Sequence, residues 1–242
     1  MTIEAVTFDH WNTLVSEVGE ALRSLRVGRF AHELAEAGHD ISDAPIEEAL
    51  DVAWAAFSDA WAANVQFDAS QSVAKTIERL GVTVPADASA RLVAMIADTT
   101  DRDLPLLPGV EECMHTLKGA GVRLGIICDV GLTPSTALRA NLDKEGVLDL
   151  FDHWSFSDDV RAYKPSAEIF QHALAGLGVS DPARAAHVGD LRRTDIAGAQ
   201  AVGMIAVRYT GVFDDPAIDG LPDGDHVLDD HALLAAALGI EA

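Results

Sequence analysis

Beyond residue 104 the chain alternates short, strongly apolar runs with amphipathic segments, and this alternation restricts the possible folds more than any other feature of the sequence. The runs are "VRLGIICD", "HWSF", "AAHVGD" and "MIAVRY". Helical patterns lie between them over 134–145, 166–178 and 194–202, and another over 109–120 ends at Gly121. Strands separated by helices of this length imply right-handed crossovers and a parallel sheet. Residues 3–8, with Ile3, Ala5, Val6 and Phe8, add a first buried strand. The expected fold class is therefore α/β, with a Rossmann-like parallel sheet. Such sheets bind ligands outside the carboxyl ends of their strands. Asp9, Cys128, Asp129, Gly189 and Asp190 all stand at those ends and are expected to converge.

Between the first strand and residue 104 the pattern is helical. A loose stripe of Val18, Leu22, Leu25, Phe30 and Leu34 runs from Glu17 to a stop at Gly38. Asp43 and Pro45 start a second helix bearing Ile46, Leu50, Trp54, Phe57 and Trp61, whose aromatics read as bundle core. Val73, Ile77 and Leu80 before Gly81 mark a third, and Leu92, Met95 and Ile96 after Asp87 a fourth. The expected domains are 1–15 with 104–242 as the α/β core and 16–103 as an all-helical insert. Arg23, Arg26 and Arg29 read mainly as a solvated face pairing with Glu20 or Glu33.

Charge narrows the partners. Against 17 Lys plus Arg stand 39 Asp plus Glu, a net charge of -22 that repels nucleic-acid backbones and anionic membranes. An anionic substrate would need a local cation. Cys113 and Cys128 have neither metal-knuckle nor disulfide spacing. With no basic leader or spanning apolar run, a cytoplasmic monomer or homodimer is expected. The Gly-, Pro- and Asp-rich stretch 211–226 reads as an irregular connection.

Four blocks stand at strand ends or adjoining loops: "FDHWNTL", "LGIICD", "YKP" and "VGDLRRTD". In this order the chain resembles the haloacid dehalogenase superfamily of hydrolases, over nearly its whole length, with the helical insert as a cap. The resemblance implies that Asp9 is a carboxylate nucleophile forming a covalent intermediate. It further implies that Thr13 orients Asp9 through its hydroxyl and that Lys164 neutralises substrate and nucleophile together. Asp190 and Asp195, with Asp9 and the Trp11 backbone carbonyl, would hold a magnesium ion, which favours carboxylate, water and phosphate oxygens. Plainer readings exist: a strand-end Asp capping a turn, a surface lysine at a helix start, and Asp195 as the cap of a helix beginning near Thr194.

Two positions depart from the family's phosphatases. Trp11 stands where a second Asp serves as general acid and base, work of roughly 10² to 10⁴ in rate. An indole donates a hydrogen bond but exchanges no proton near neutrality. Cys128 stands where Ser or Thr donates to the transferred group; as a weaker donor it reads equally as a small buried hydrophobe. Asp129 beside it faces either the substrate's polar end or solvent. The aromatic Trp11 resembles the family's metal-free 2-haloacid dehalogenases, whereas "GDLRRTD" keeps the metal-binding pattern. The leading expectation is a magnesium-dependent phosphatase on a small phosphorylated metabolite. A haloacid dehalogenase and a catalytically impaired binding protein are the alternatives. His10 is a weaker candidate for the missing proton transfer.

Overall fold

The computed structural model describes residues 2–16, 19–99 and 104–241. The expected first-helix residues Glu17 and Val18, the side chain of Glu20 and the segment 100–103 lie outside the described residues. In chain order the elements are β1 (Ala5–Phe8), α1 (Gly19–Glu36), α2 (Asp43–Ala62), α3 (Ala69–Leu80), α4 (Ala86–Ala97), α5 (Val110–Gly119), β2 (Arg123–Cys128) and α6 (Ser135–Lys144). They continue with β3 (His153–Phe156), α7 (Ser157–Val160), α8 (Ala167–Gly176), β4 (Ala185–Gly189), α9 (Ala197–Val202), β5 (Ile205–Tyr209), β6 (His226–Leu228) and α10 (Leu234–Ala237). Two compact units result: Met1–Glu17 with Leu104–Asp129 and Arg139–Ala242, and Val18–Asp103 with Val130–Leu138.

The first unit is built on a six-stranded parallel sheet in the order β3-β2-β1-β4-β5-β6. Every residue of β1 and β4 is buried, as a strand covered on both faces requires. β2 and β4 flank β1 on opposite sides, so the order of connection reverses there and opens the crevice in which doubly wound sheets bind ligands. One face is sealed by Ile169, Phe170 and Ala173 of α8 packing with Ile196, Ala199 and Ala206. β6 was not expected from the pattern. With three residues, none of them buried, it carries too little hydrophobic signal to read as a strand.

The second unit packs α1, α2, α3 and α4 around Val27, Phe30, Leu34, Ile46, Leu92 and Ile96. Leu132 joins this cluster, so residues 130–138 belong to the helical unit although they follow β2 in sequence. The bundle-core reading of Trp54 is corrected. α2 buries its small face, Ile46, Ala49 and Ala53, and Trp54 is left 55% exposed against Phe57. Among the described residues Arg23 pairs with Asp51 of α2, and Glu33 pairs with Arg91 of α4. No described helix is long and apolar enough to cross a membrane.

Gly198 in α9 tests how tightly the first unit is packed. A Cβ there would overlap the buried Phe170 ring and lie 3.1 Å from the Pro165 Cα. Gly198→Ala should therefore destabilise the protein by about 1–3 kcal/mol in urea denaturation, outweighing the roughly 1 kcal/mol that alanine gains in a helix. A raised midpoint would show that the ring yields.

Candidate active site

Asp9 is the first residue past β1, and the sheet still holds its backbone: its N–H donates to the Val188 carbonyl at 2.8 Å. The chain then turns sharply, with the Leu14 and Val15 N–H groups donating to the His10 carbonyl at 2.9 and 3.1 Å. Asn12 closes the turn at φ 55°, a left-handed conformation that Asn adopts more readily than most residues. Its Nδ2 donates to Asp190 Oδ2 at 3.2 Å, tying the turn after β1 to the tip of β4. His231 Nε2 donates to the Thr13 carbonyl at 2.8 Å and anchors the same turn.

Lys164 approaches from the loop before α8. Its backbone N–H donates to Asp129 Oδ1 at 2.8 Å, and its ammonium donates to Asp9 Oδ1 and Asp195 Oδ1, both at 2.6 Å. At 2% exposure it is no surface lysine.

Asp195 lies within a π-helical turn, Arg192–Ile196, ahead of α9. This corrects the helix-cap reading. A capping carboxylate accepts from N–H groups further along its helix, whereas Asp195 Oδ2 accepts from Leu191 N–H, behind it, and from the Thr194 hydroxyl, each at 3.1 Å. The turn seats the carboxylate against Gly189, where any Cβ would overlap it. His187 Nε2 lies 3.1 Å from Asp195 Oδ1.

Asp9, Asp190 and Asp195 each present an oxygen within 4.8 Å of the others. Burial pushes Asp9 up to about 7, with Lys164 drawing it down and Asp195 driving it up. Burial, then repulsion from Asp195 and Asp9, pushes Asp190 up to about 8. Burial opposes the charge of Asp195 as well, but Lys164 and His187 outweigh it and hold this carboxyl below the usual range. Lys164, also penalised by burial, is kept firmly protonated by Asp195 and Asp9. A divalent cation would relieve the repulsion that raises Asp9 and Asp190, and the all-oxygen donor set fits magnesium. A carboxylate offers about four acceptor positions. Those of Asp195 are taken by Lys164, His187, Leu191 and Thr194. Asp9 and Asp190 would therefore offer a cation direct oxygens, and Asp195 would reach it through water or by giving up one of these partners.

The remaining expected residues are placed as follows. Thr13 is fully buried, but its hydroxyl has no hydrogen-bond partner among the described residues, so the expected bond to Asp9 is not made. The turn is closed by backbone bonds, and Thr13 contributes to it through its carbonyl. Trp11 is half-buried with its ring edge-on to His10 at 5.0 Å, and His10 is fully buried. Cys128 is buried at the tip of β2, its Sγ 3.5 Å from the Asp129 carbonyl, and burial drives its thiol far above the ordinary value. Asp129 braces the Lys164 backbone. Asn12, Thr7 and His187 were not singled out from sequence. A histidine inside a wholly apolar strand was the available signal, since a buried polar side chain requires a partner.

A family model described as haloacid dehalogenase-like hydrolase matches residues 3–203. The chain is 33% identical over 98 residues to pyrimidine 5'-nucleotidase YjjG of Escherichia coli, covering 40% of this chain and 42% of that protein. It is 37% identical over 105 residues to glyceraldehyde 3-phosphate phosphatase of Pyrococcus abyssi, covering 43% of this chain and 42% of that protein. Both matches thus span under half the length of those curated relatives. Among solved structures, a HAD phosphatase from Thermococcus onnurineus superposes with a TM-score of 0.69 at 25% identity, covering 99% of each chain.

Removing the ammonium exposes the electrostatics directly. Lys164→Met should lower stability by about 3–5 kcal/mol in urea at pH 7.5 with chelator present, because Asp195 is left ionised in a dry site. A loss below about 1 kcal/mol would show that the carboxylates shed their charge by taking up protons.

Proposed function

The chain belongs to the haloacid dehalogenase-like hydrolases, and we propose that it is a magnesium-dependent phosphatase of small phosphorylated metabolites, working through a covalent intermediate on Asp9. The observation that carries this reading is the buried Lys164 ammonium joined to both Asp9 and Asp195, with Asp190 in the same acidic cluster. The phosphatase and nucleotidase relatives support it. In this reading the protein is cytoplasmic, a monomer or homodimer, and residues 16–103 are the cap that selects the substrate.

Lys164 Nζ engages Asp9 Oδ1 and so leaves Oδ2 to attack phosphorus, while the ammonium limits the repulsion between nucleophile and substrate. Of its three N–H groups two are committed to carboxylates, and the third can meet a phosphoryl oxygen. Magnesium, held by Asp9, Asp190 and the Trp11 carbonyl with Asp195 behind them, would neutralise charge on the phosphoryl oxygens. Asn12 steadies Asp190, and Asp129 steadies Lys164. Cys128 and Trp11 border the transferred group. Thr13, buried on the same turn as Asp9, supports the loop through its carbonyl, held by His231. Trp11 supplies no proton to the leaving group, so the substrates favoured are those whose leaving group departs as an anion: acyl and aryl phosphates and enol esters.

Turnover of an aryl phosphate such as p-nitrophenyl phosphate should require added magnesium, cease with chelator, and vanish in Asp9→Asn. Activity undiminished by chelator would overturn the metal assignment. Halide release from a 2-haloacid without metal, the chemistry an aromatic at position 11 accommodates, would replace the reading. Tight phosphate binding without turnover would mark a binding protein.

Trp11→Asp returns an acid to the leaving-group side. It should raise turnover of an alkyl phosphate by up to about 10² while changing aryl phosphate turnover far less. Equal effects on the two substrates would show that position 11 does not face the leaving group.

A further inference from the structure

His187 lies mid-strand in β4, wholly buried, where a parallel sheet ordinarily takes Val or Ile. Thr7 of β1 is its register partner, so the two side chains share one face of the sheet. Thr7 Oγ1 lies 2.9 Å from His187 Nδ1, and His187 Nε2 lies 3.1 Å from Asp195 Oδ1. The Phe170 ring closes edge-on over the imidazole at 5.3 Å. Gly189, two residues on and on the same face, leaves room for the Asp195 carboxylate.

We propose that Thr7 and His187 form a buried relay that fixes the Asp195 carboxylate and, through it, the position of Lys164, which makes His187 a positioning residue for the reaction. The proposal rests on the proposed function in two arms of its test, on the phosphatase reading for activity and on the magnesium assignment for calorimetry, and the NMR arm stands apart from both. An ionised carboxylate accepts and never donates, so Nε2 must carry the hydrogen it shares with Asp195. Burial keeps the ring neutral, so Nδ1 is then the acceptor, and the Thr7 hydroxyl, which also lies 3.3 Å from the Ala186 carbonyl, donates to the nearer Nδ1. The chain of donors runs Thr7 to His187 to Asp195, where it meets Lys164, whose ammonium also donates to Asp9. A phenyl ring would fill the same space in the sheet but would leave one Asp195 acceptor position without a donor. Asp195 could then rotate about its Cβ, and the Lys164 ammonium, with two donors directed by carboxylates, would follow it away from Asp9.

The test compares the full-length parent with His187→Phe, His187→Gln and Thr7→Val, each checked for folding by circular dichroism. Three readouts are taken: p-nitrophenyl phosphate kinetics, magnesium affinity by calorimetry, and imidazole ¹⁵N NMR. Partners one bond removed from a metal ligand typically carry 10–100-fold in affinity or activity, and His187 stands one step further out, behind Asp195. His187→Phe should accordingly lower kcat or magnesium affinity by about 10-fold, the lower end of that range, with KM near the parent's, and His187→Gln, whose amide N–H can replace Nε2–H, should recover most of that loss. The parent spectrum should show His187 protonated on Nε2 with Nδ1 bare, and Thr7→Val should weaken that preference. A folded His187→Phe with parental kcat and magnesium affinity, or a ring carrying its hydrogen on Nδ1, overturns the relay. If His187→Phe does not fold, the spectra of the parent and of Thr7→Val decide the proposal. If no phosphate is turned over or no magnesium bound by the parent, the proposed function fails while NMR still decides the relay.

Discussion

A single buried ammonium holds the site together. Lys164 donates at 2.6 Å to Asp9, which ends β1, and to Asp195, which lies past the end of β4. Burying an ion costs several kcal/mol, and that cost is offset only when charge and hydrogen bonds are both satisfied. The fold meets this condition by crossing two chain segments at one point. β1 and β4 are register partners from Ala5 with Ala185 to Phe8 with Val188, and the Asp9 N–H continues the ladder. A slip of one residue would turn Thr7 and His187 to the opposite face of the sheet and move Asp9 away from Lys164. The register of two short apolar strands and the geometry of one ion triad are therefore a single constraint.

That constraint preserves some catalytic functions and not others. On the proposed reading, the nucleophile Asp9 and its electrostatic support, Lys164, Asp190 and Asp195, are all built and held by named partners. Proton transfer to the leaving group is not, because position 11 carries an indole. Electrostatic stabilisation acts on the phosphoryl group whatever is attached to it, whereas a general acid matters in proportion to the basicity of the leaving oxygen. A site with the first and without the second discriminates by leaving group.

The convergence of Asp9, Asp129 and Asp190 was legible because it follows from strand order: parallel strands alternating with helices place their carboxyl ends on one edge of the sheet. Lys164 was legible from its block and from the scarcity of lysine. What escaped reading depended on side-chain geometry or on weak patterns. The π-helical turn around Asp195 has the sequence of an ordinary helix start, and only its backbone width sends the carboxylate back to Leu191. β6 is too short and too exposed to show a period. Trp54 sits at a core-like spacing, yet α2 packs through Ala49 and Ala53 instead, a choice made by its neighbours rather than by its own pattern. Residues 130–138 follow β2 without interruption, and only the packing of Leu132 assigns them to the helices. His187 was visible as a letter but not as half of a pair, because its partner Thr7 is 180 positions away.

The surplus of acid over base constrains the substrate's charge as well. Among the described residues the buried cations are Lys164, Arg192 and Arg208. Both arginines are engaged by the acidic stretch after β5: Arg208 pairs with Asp214 and Asp223, and Arg192 pairs with Asp223 while its backbone N–H donates to Asp215. The irregular segment 211–226 is thus a neutralising strap, and it leaves Lys164 as the sole buried cation not already matched by that strap. Three carboxylates against one ammonium give a site whose ionised form repels any anion, and a divalent cation brings it to neutrality. On the magnesium reading, the cation would offset the charge that opposes an anionic substrate, so that binding of the metal and recognition of the substrate would be one electrostatic event.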